Sequence, residues 1–281
     1  MKKTILTIAL ALGLASIVSA QATYPVSGHI SSDTAGSVAA LIKYVGTAAP
    51  SATTDVAVSA PGVFTFRVAG VASTTVNSGA TCGAAVGTMD PSDGDCNTFV
   101  EFMNIVNATS DWRMVLVGAL GTDSTDNTIT TFAVAAAMRA EGVPLYFDSA
   151  VSLTTSIAMI PDNCKLDIRC FMSPQGLLKE NPAGGTQTDV RWVEGYSTFA
   201  TTGTFNIYSV KESTKAGTSS SVISTLHSEV TGASTVNKQL SQFQNYPLIG
   251  KPHEKVIVRI TNTGASSAFN LHAYGFRKAA Q

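Results

Sequence analysis

Four cysteines, four histidines and one tight acidic turn are the features of this 281-residue chain whose types and spacing could support chemistry. Cys82, Cys96, Cys164 and Cys170 are even in number, which in an oxidising compartment reads as disulfides. They allow three pairings, and nearness in sequence favours Cys82 with Cys96 and Cys164 with Cys170, each closing a local loop. Zinc is the poorer reading, because neither pair has the short spacing of a zinc knuckle and no His stands beside it. Asp90, Asp93 and Asp95 surround Gly94 and offer hard oxygens of the kind calcium takes. The order departs from an EF-hand and the distal Glu is missing, and the same residues also suit a solvated turn. Apart from this calcium alternative, no cofactor is expected.

The histidines, His29, His227, His253 and His272, are scattered. Nucleophilic catalysis needs a Ser or Cys beside an oriented base, and the local Gly-x-Ser-x-Gly signature is absent. His-Glu-x-x-His, a phosphate-cradling loop and a dinucleotide fingerprint are absent too. The expectation is a noncatalytic protein. Sugar binding would need aromatic platforms, for which Trp192 and Tyr196 qualify because they share strand parity; a core position suits an aromatic in an alternating strand better.

These residues must be placed by a fold, and the first twenty residues bear on where that fold works. Lys2 and Lys3, the apolar run Ile5 to Ala15 and the small residues Val18, Ser19 and Ala20 form a secretory signal peptide of bacterial type. The apolar run is too short to span a bilayer about 30 Å thick. A mature chain beginning near Gln21 is expected, secreted or at the cell surface with the periplasm as an alternative, and without a membrane span. The formal net charge is −1 and charged residues make up 13% of the chain, against about a quarter in ordinary domains. Lys and Arg do not cluster as counterion release would require, so nucleic acid is excluded as a partner.

Along the chain, Val56 to Ser59 and Val63 to Val68 flank Ala60, Pro61 and Gly62 and read as a β-hairpin, with Phe64, Phe66 and Val68 on its buried face. Phe99, Phe102, Met103 and Val106 recur at helical spacing over Thr98 to Val106. Asn97 or Thr98 caps that helix, Glu101 sits in its first turn, and Asn107 to Asp111 stop it. Trp112 to Leu120 reads as a strand. Thr128 to Met138 fits strand or helix equally.

From Phe99 through Asn107 and Ala108 to Trp112 and Val117, the pattern resembles the hairpin-helix-strand modules of flagellar hook-associated and phage virion structural proteins. There a short helix ending in a sequence similar to Ile-Asn-Ala precedes a strand, whereas here Ile105, Val106, Asn107 and Ala108 make that ending one residue longer. The resemblance implies a structural add-on module rather than a chemistry.

After residue 150, strand-like runs recur at Val151 to Ile160, Lys165 to Phe171, Asp189 to Phe199, Thr204 to Val210, Val222 to Val230, Lys255 to Thr263 and Phe269 to Phe276. One more is expected near Leu240 to Leu248. Val256 to Ile260 and Leu271 to Phe276, joined through Asn262 to Ala265, read as an antiparallel hairpin. The strand count suggests a β-sandwich of the jelly-roll kind, similar in this respect to carbohydrate-binding modules and capsid-like domains.

The expected organisation is therefore mainly β: a signal peptide at 1–20, a small α+β domain with one short helix at 21–149, and an antiparallel β-sandwich at 150–281. The expected function is that of an exported structural or surface protein acting through self-association or attachment to an extracellular polymer. A carbohydrate- or cell-surface-binding module is the alternative.

Overall fold

The computed structural model describes residues 23–279 apart from 32–36, 48–53, 60–61, 80, 84, 126–128, 130–131, 138–139, 149–152, 174–177, 179–185, 199–202, 214–219, 232–234, 241–247, 251–253 and 263–267. The signal peptide expected at 1–20 lies outside the described residues. The chain is mainly β, built from several antiparallel sheets.

The first half carries β2 (Val38–Tyr44), β3 (Asp55–Ser59), β4 (Val63–Val68), β5 (Val71–Ala72), β6 (Thr88–Met89), helix α1 (Phe99–Ala108), β7 (Trp112–Leu116), β8 (Phe132–Ala137) and β9 (Val143–Tyr146). One sheet has the order β7-β2-β9, and a second has the order β5-β4-β3-β8 with β6 on β4. The hairpin read from the sequence is present as β3 and β4, paired from Ser59 on Val63 to Asp55 on Arg67. Phe64 and Phe66 are buried on its inner face. Within the segment that fitted strand or helix equally, Phe132–Ala137 forms strand β8.

Thr98 is the N-cap of α1. Its hydroxyl accepts from the Glu101 N–H, and the Glu101 carboxylate accepts from the Thr98 N–H, a reciprocal pair that satisfies two otherwise orphaned donors. The helix runs on through Asn107 to Ala108 rather than stopping at Val106. Asn107 is buried and bonds across to β7: its amide donates to the Met114 carbonyl at 3.0 Å and accepts from the Met114 N–H at 2.8 Å. Trp112 opens β7 in the centre of the core, edge-on to Tyr44 and Phe66, with its indole N–H donating to Ser73 Oγ at 3.0 Å. The strand beginning there is shorter than the sequence suggested and ends at Leu116.

The remaining strands are β1 (Thr23–Ser31), β10 (Leu153–Ala158), β11 (Thr186–Thr198), β12 (Gly203–Ser213), β13 (Ser220–Thr231), β14 (Thr235–Leu240), β15 (Leu248–Ile249), β16 (Lys255–Asn262) and β17 (Ala268–Ala279). They form two sheets. One has the order β1-β17-β11-β14 with β15 on β11, and the other the order β10-β16-β12-β13.

Two local expectations are corrected. Val256 to Ile260 and Leu271 to Phe276 do not pair as a hairpin: β16 lies between β10 and β12, while β17 lies between β1 and β11 in the other sheet. The burial of the two strands explains the separation. Residues 255–260 of β16 are buried without interruption, whereas β17 alternates exposed His272 and Tyr274 with buried Ala273. A strand covered on both faces and a strand with one outward face do not share an environment. The second correction concerns Lys165 to Phe171, which is not a strand. Asp162–Cys164 and Ile168–Phe171 are short 3-10 turns. Cys164 and Cys170 are bonded with their Cα atoms 5.5 Å apart, where six extended residues would span about 20 Å.

Packing crosses residue 150 in both directions. The N-terminal strand β1 pairs along its length with β17. Ala158, Ile160, Cys164, Ile168 and Phe171 share a core cluster with Leu41, Val115 and Val117. At Gly28 the two C-terminal sheets come so close that a Cβ there would fall 2.1 Å from Ile157 Cγ2.

Candidate functional site

Strand β16 carries more buried charge than any simple core strand needs. Glu254, Lys255 and Arg259 are all buried at its start or along it. Burying a charge is costly unless it is paired and hydrogen-bonded, so each group's partners decide what it does. Arg259 donates to both carboxylate oxygens of Asp123 at 2.7 Å, to the Gly118 carbonyl at 3.0 Å and to Ser156 Oγ at 3.0 Å. Its guanidinium carbon also lies 5.9 Å from the centre of the Phe147 ring. Lys255 reaches the Leu116 carbonyl at 2.8 Å, and Glu254 accepts from Ser209 Oγ at 2.6 Å. Lys255 and Arg259 fasten β16 to the end of β7 and the segment that follows it, and Glu254 ties the start of β16 to β12. Asp123 belongs to the polar turn after Leu120, where its carboxylate also accepts the Leu120 N–H. A guanidinium consumed in this way is a structural clamp, with its donors spent on fixed acceptors.

The acidic turn proves to be self-contained. Asp90 Oδ1 accepts from the Ser92 N–H at 3.0 Å and the Ser92 hydroxyl at 2.7 Å, and Asp93 Oδ1 accepts from the Asp95 N–H at 3.0 Å. Among the described residues no three His, Cys, Asp or Glu side chains are grouped so as to hold a metal ion. Asp90 and Asp93 thus each give one carboxylate oxygen to the turn's own donors, as in a solvated turn.

The cysteines pair as nearness favoured, Cys82 with Cys96 and Cys164 with Cys170. Cys82 and Cys96 are both fully buried within the main core cluster. The loop they close is held from inside: Asn77, in the left-handed region at φ 50°, accepts the Cys82 N–H and donates to the Thr88 carbonyl.

Near the second disulfide, Asp167 caps its turn by accepting the Arg169 N–H and grips the Arg169 side chain. Arg169 also reaches Glu141 at 3.2 Å. The hydrogen bonds from Arg169 hold the Asp167 carboxyl below its ordinary pKa. Burial lowers the pKa of the neighbouring Lys43 ammonium, which donates to the Ala140 carbonyl.

Of the histidines, His227 lies on β13 with Nε2 3.8 Å from Glu229, and His253 falls outside the described residues. His29 and His272 are paired directly, β1 against β17. The register of β17 on β11 sets Glu194 opposite His272, Trp192 opposite Tyr274 and Tyr196 opposite Asn270. Trp192 and Tyr196 therefore have settled places in β11, while their side chains lie outside the described residues. Sequence reading missed the cross-strand row of His29, His272 and Glu194, since it brings together residues from opposite ends of the chain.

Strand β13 is the outermost strand of its sheet. It pairs with β12 on one side, and no described strand pairs with its other side. Its twelve residues, SSVISTLHSEVT, contain no Lys, Arg or Pro. Val222 and Val230 are 56% and 68% exposed.

No protein-family model, curated protein or solved structure matches the chain. Among the described residues no helix is long and apolar enough to cross a membrane.

Proposed function

We propose that this chain is an exported, noncatalytic structural or surface protein that acts through self-association, and that copies meet along the outer edge of β13. The observation that carries the reading is the edge itself. A strand edge presents N–H and C=O groups able to pair with another chain, and natural proteins guard such edges with Lys, Pro, bulges or very short strands. β13 is long, carries neither Lys nor Pro, and exposes two valines. Its guards are a single charge, Glu229, and a register shift opposite Ile207 and Tyr208, which leave regular pairing segments on both sides of the shift.

Other features support the reading. A 13% charged fraction leaves little like-charge repulsion between copies. Two disulfides suit an oxidising compartment. The buried charges described above are occupied in holding the fold. In this reading the two C-terminal sheets stack as a jelly-roll-like sandwich, a stacking supported by the close approach of Gly28 to Ile157.

The test is light scattering after size exclusion, together with electron microscopy, of the mature chain over a range of concentrations. Assemblies are expected, and Val222→Lys with Val230→Lys should convert them to monomers without loss of the β signal in circular dichroism. A wild-type chain that is monomeric throughout overturns the proposal.

Attachment to a polysaccharide is a second reading, favoured by one observation: Tyr274 is 39% exposed and stands in register with Trp192. Retention on insoluble glycan, abolished by Trp192→Ala or Tyr196→Ala, would establish it; passage of the wild-type chain without retention would exclude it.

A further inference from the structure

The pairing of β13 with β12 is interrupted once. It runs from Ser221 opposite Glu212 to Thr225 opposite Tyr208, skips Leu226, and resumes from His227 opposite Ile207 to Val230 opposite Thr204. β12 pairs with β16 on its other side without a shift, so the irregularity belongs to β13. Residues directly opposite in an antiparallel pair share a face, and successive residues of a strand alternate between faces. Ser221, Ile223 and Thr225 therefore lie on the face of Tyr208 and Val210, with Val222 and Ser224 on the other. Beyond Leu226 the parity is reversed: Ser228 and Val230 lie on the face of Tyr208, and His227 and Glu229 on the face of Phe205 and Ile207. The side chains agree, since Ile223 packs against Leu120, Val210 and Ile257, whereas the His227 ring lies 5.9 Å from that of Phe205 on the opposite side. Leu226, next to His227, shares the face of Thr225. The order of faces along β13 thus reads the same from either end, with its centre between Thr225 and Leu226.

We infer that β13 is the seam of a closed two-fold dimer, in which it pairs antiparallel with β13 of a second copy about an axis between Thr225 and Leu226. This rests on the reading of β13 as the edge of self-association, and adds the partner strand, its register and the size of the assembly. A slip of one residue turns every side chain to the wrong face. With the axis between Thr225 and Leu226, all positions from Ser221 to Val230 meet a partner on the same face. Every other antiparallel register of this stretch either opposes residues of different faces or overlaps by no more than about half its length. Charge fits the same register. Glu229 is the only carboxylate of β13; it falls opposite the partner's Val222 and about 24 Å along the strand from the partner's Glu229, so like charges do not meet. The other edge of this sheet, β10, is covered by the chain itself, because the Ser156 N–H donates to Ser37 Oγ at 3.0 Å. A two-fold contact uses the same edge in both copies and closes at two chains, whereas β13 set against a different edge would propagate into a fibre.

The experiment combines light scattering of the untagged mature chain with cysteine cross-linking across the seam. The wild-type mass should rise with concentration to twice that of one chain and no further. Directly opposite residues of an antiparallel pair have Cα atoms about 4.5–5.5 Å apart, within the span of a disulfide. A mixture of Val222→Cys and Glu229→Cys chains should therefore oxidise to a covalent dimer. Either variant alone should not, because its two new thiols lie about 24 Å apart. Ser224→Cys mixed with His227→Cys provides a second opposed pair and should cross-link in the same way, and circular dichroism on each variant checks that the β structure is retained. Dimers that cross-link at neither pair overturn the inferred seam. Assemblies that grow past two copies overturn the closed dimer while leaving self-association standing, and a wild-type chain that stays monomeric overturns the seam together with the reading it rests on.

Discussion

Arg259 and Asp123 lie 136 residues apart and meet through two hydrogen bonds of 2.7 Å, one to each carboxylate oxygen. Side-chain exposures of 6% and 18% place the pair largely out of water. Around it, Gly118, Ser156 and Phe147 come from separate parts of the chain, so one guanidinium fixes how β16 sits on the segment after β7.

Removing one partner of a buried pair strands the other charge, and such losses cost about 3–5 kcal/mol. Arg259→Met should lower the unfolding free energy by about that amount in urea titration, since the Gly118 carbonyl loses its donor as well. Asp123→Leu should also destabilise strongly. The double variant should cost clearly less than the two single losses added together, because no unpaired charge remains. Strict additivity would mean that the two groups do not stabilise one another.

A smaller side chain governs the approach of the two C-terminal sheets. At Gly28 a Cβ would lie 2.1 Å from Ile157 Cγ2 and 3.3 Å from its Cβ. Gly28→Ala should therefore destabilise by about 1–3 kcal/mol, the usual cost of overpacking. Ile157→Ala, harmful alone through the cavity it leaves, should relieve the clash when combined with Gly28→Ala, so that the pair is less damaging than the sum of its parts. Urea midpoints of the four chains form a complete cycle.

Local features of this fold were legible in the sequence, and non-local ones were not. The β3-β4 hairpin announced itself through two alternating runs around Pro61 and Gly62, and α1 through four apolar residues at helical spacing behind a capping Thr98. Each signal lies within a dozen residues. By contrast, β16 and β17 have adjacent sequences that look like a hairpin, yet they belong to different sheets, because uninterrupted burial of β16 demands cover on both faces. Alternation of residue types does not reveal which partner a strand chooses. The strand expected over Lys165 to Phe171 was avoidable: a disulfide across six residues is incompatible with an extended chain. The clamp partner Asp123 stands 136 residues from Arg259, beyond the reach of any local pattern, and the row through His29 and His272 depends on the first and last strands pairing.

The disulfides should differ in worth. Cys82 and Cys96 are separated by 14 residues, Cys164 and Cys170 by 6. In the chain-entropy account the larger loop contributes about 3 kcal/mol and the smaller roughly 0.7 kcal/mol less. Because Cys82 and Cys96 are also fully buried in the main core cluster, Cys82→Ala with Cys96→Ala should lower the urea midpoint more than Cys164→Ala with Cys170→Ala. The reverse order would show that the loop around Gly83 and Gly87 contributes little to the core.

Asp167 supplies the pH dependence. Its carboxyl is held below the ordinary value first by the side-chain hydrogen bonds from Arg169, with the Arg169 N–H, the charge of Arg169 and that of Lys43 acting in the same direction and burial opposing them. A carboxyl whose folded pKa is depressed contributes stability that is fully present above its unfolded value, about 3.9. That contribution disappears as pH falls through the lower, folded value, because the unfolded chain binds the proton first and only then does the folded one. Asp167→Asn keeps a side-chain oxygen for the Arg169 N–H but has no charge to titrate. The stability difference between wild type and variant should be constant at neutral pH and shrink through the acid range below about pH 5. Urea unfolding at a series of pH values measures it, and a difference that stays the same down to the acid limit would show that Asp167 acts only as a cap for its turn and that its ion pair with Arg169 adds nothing.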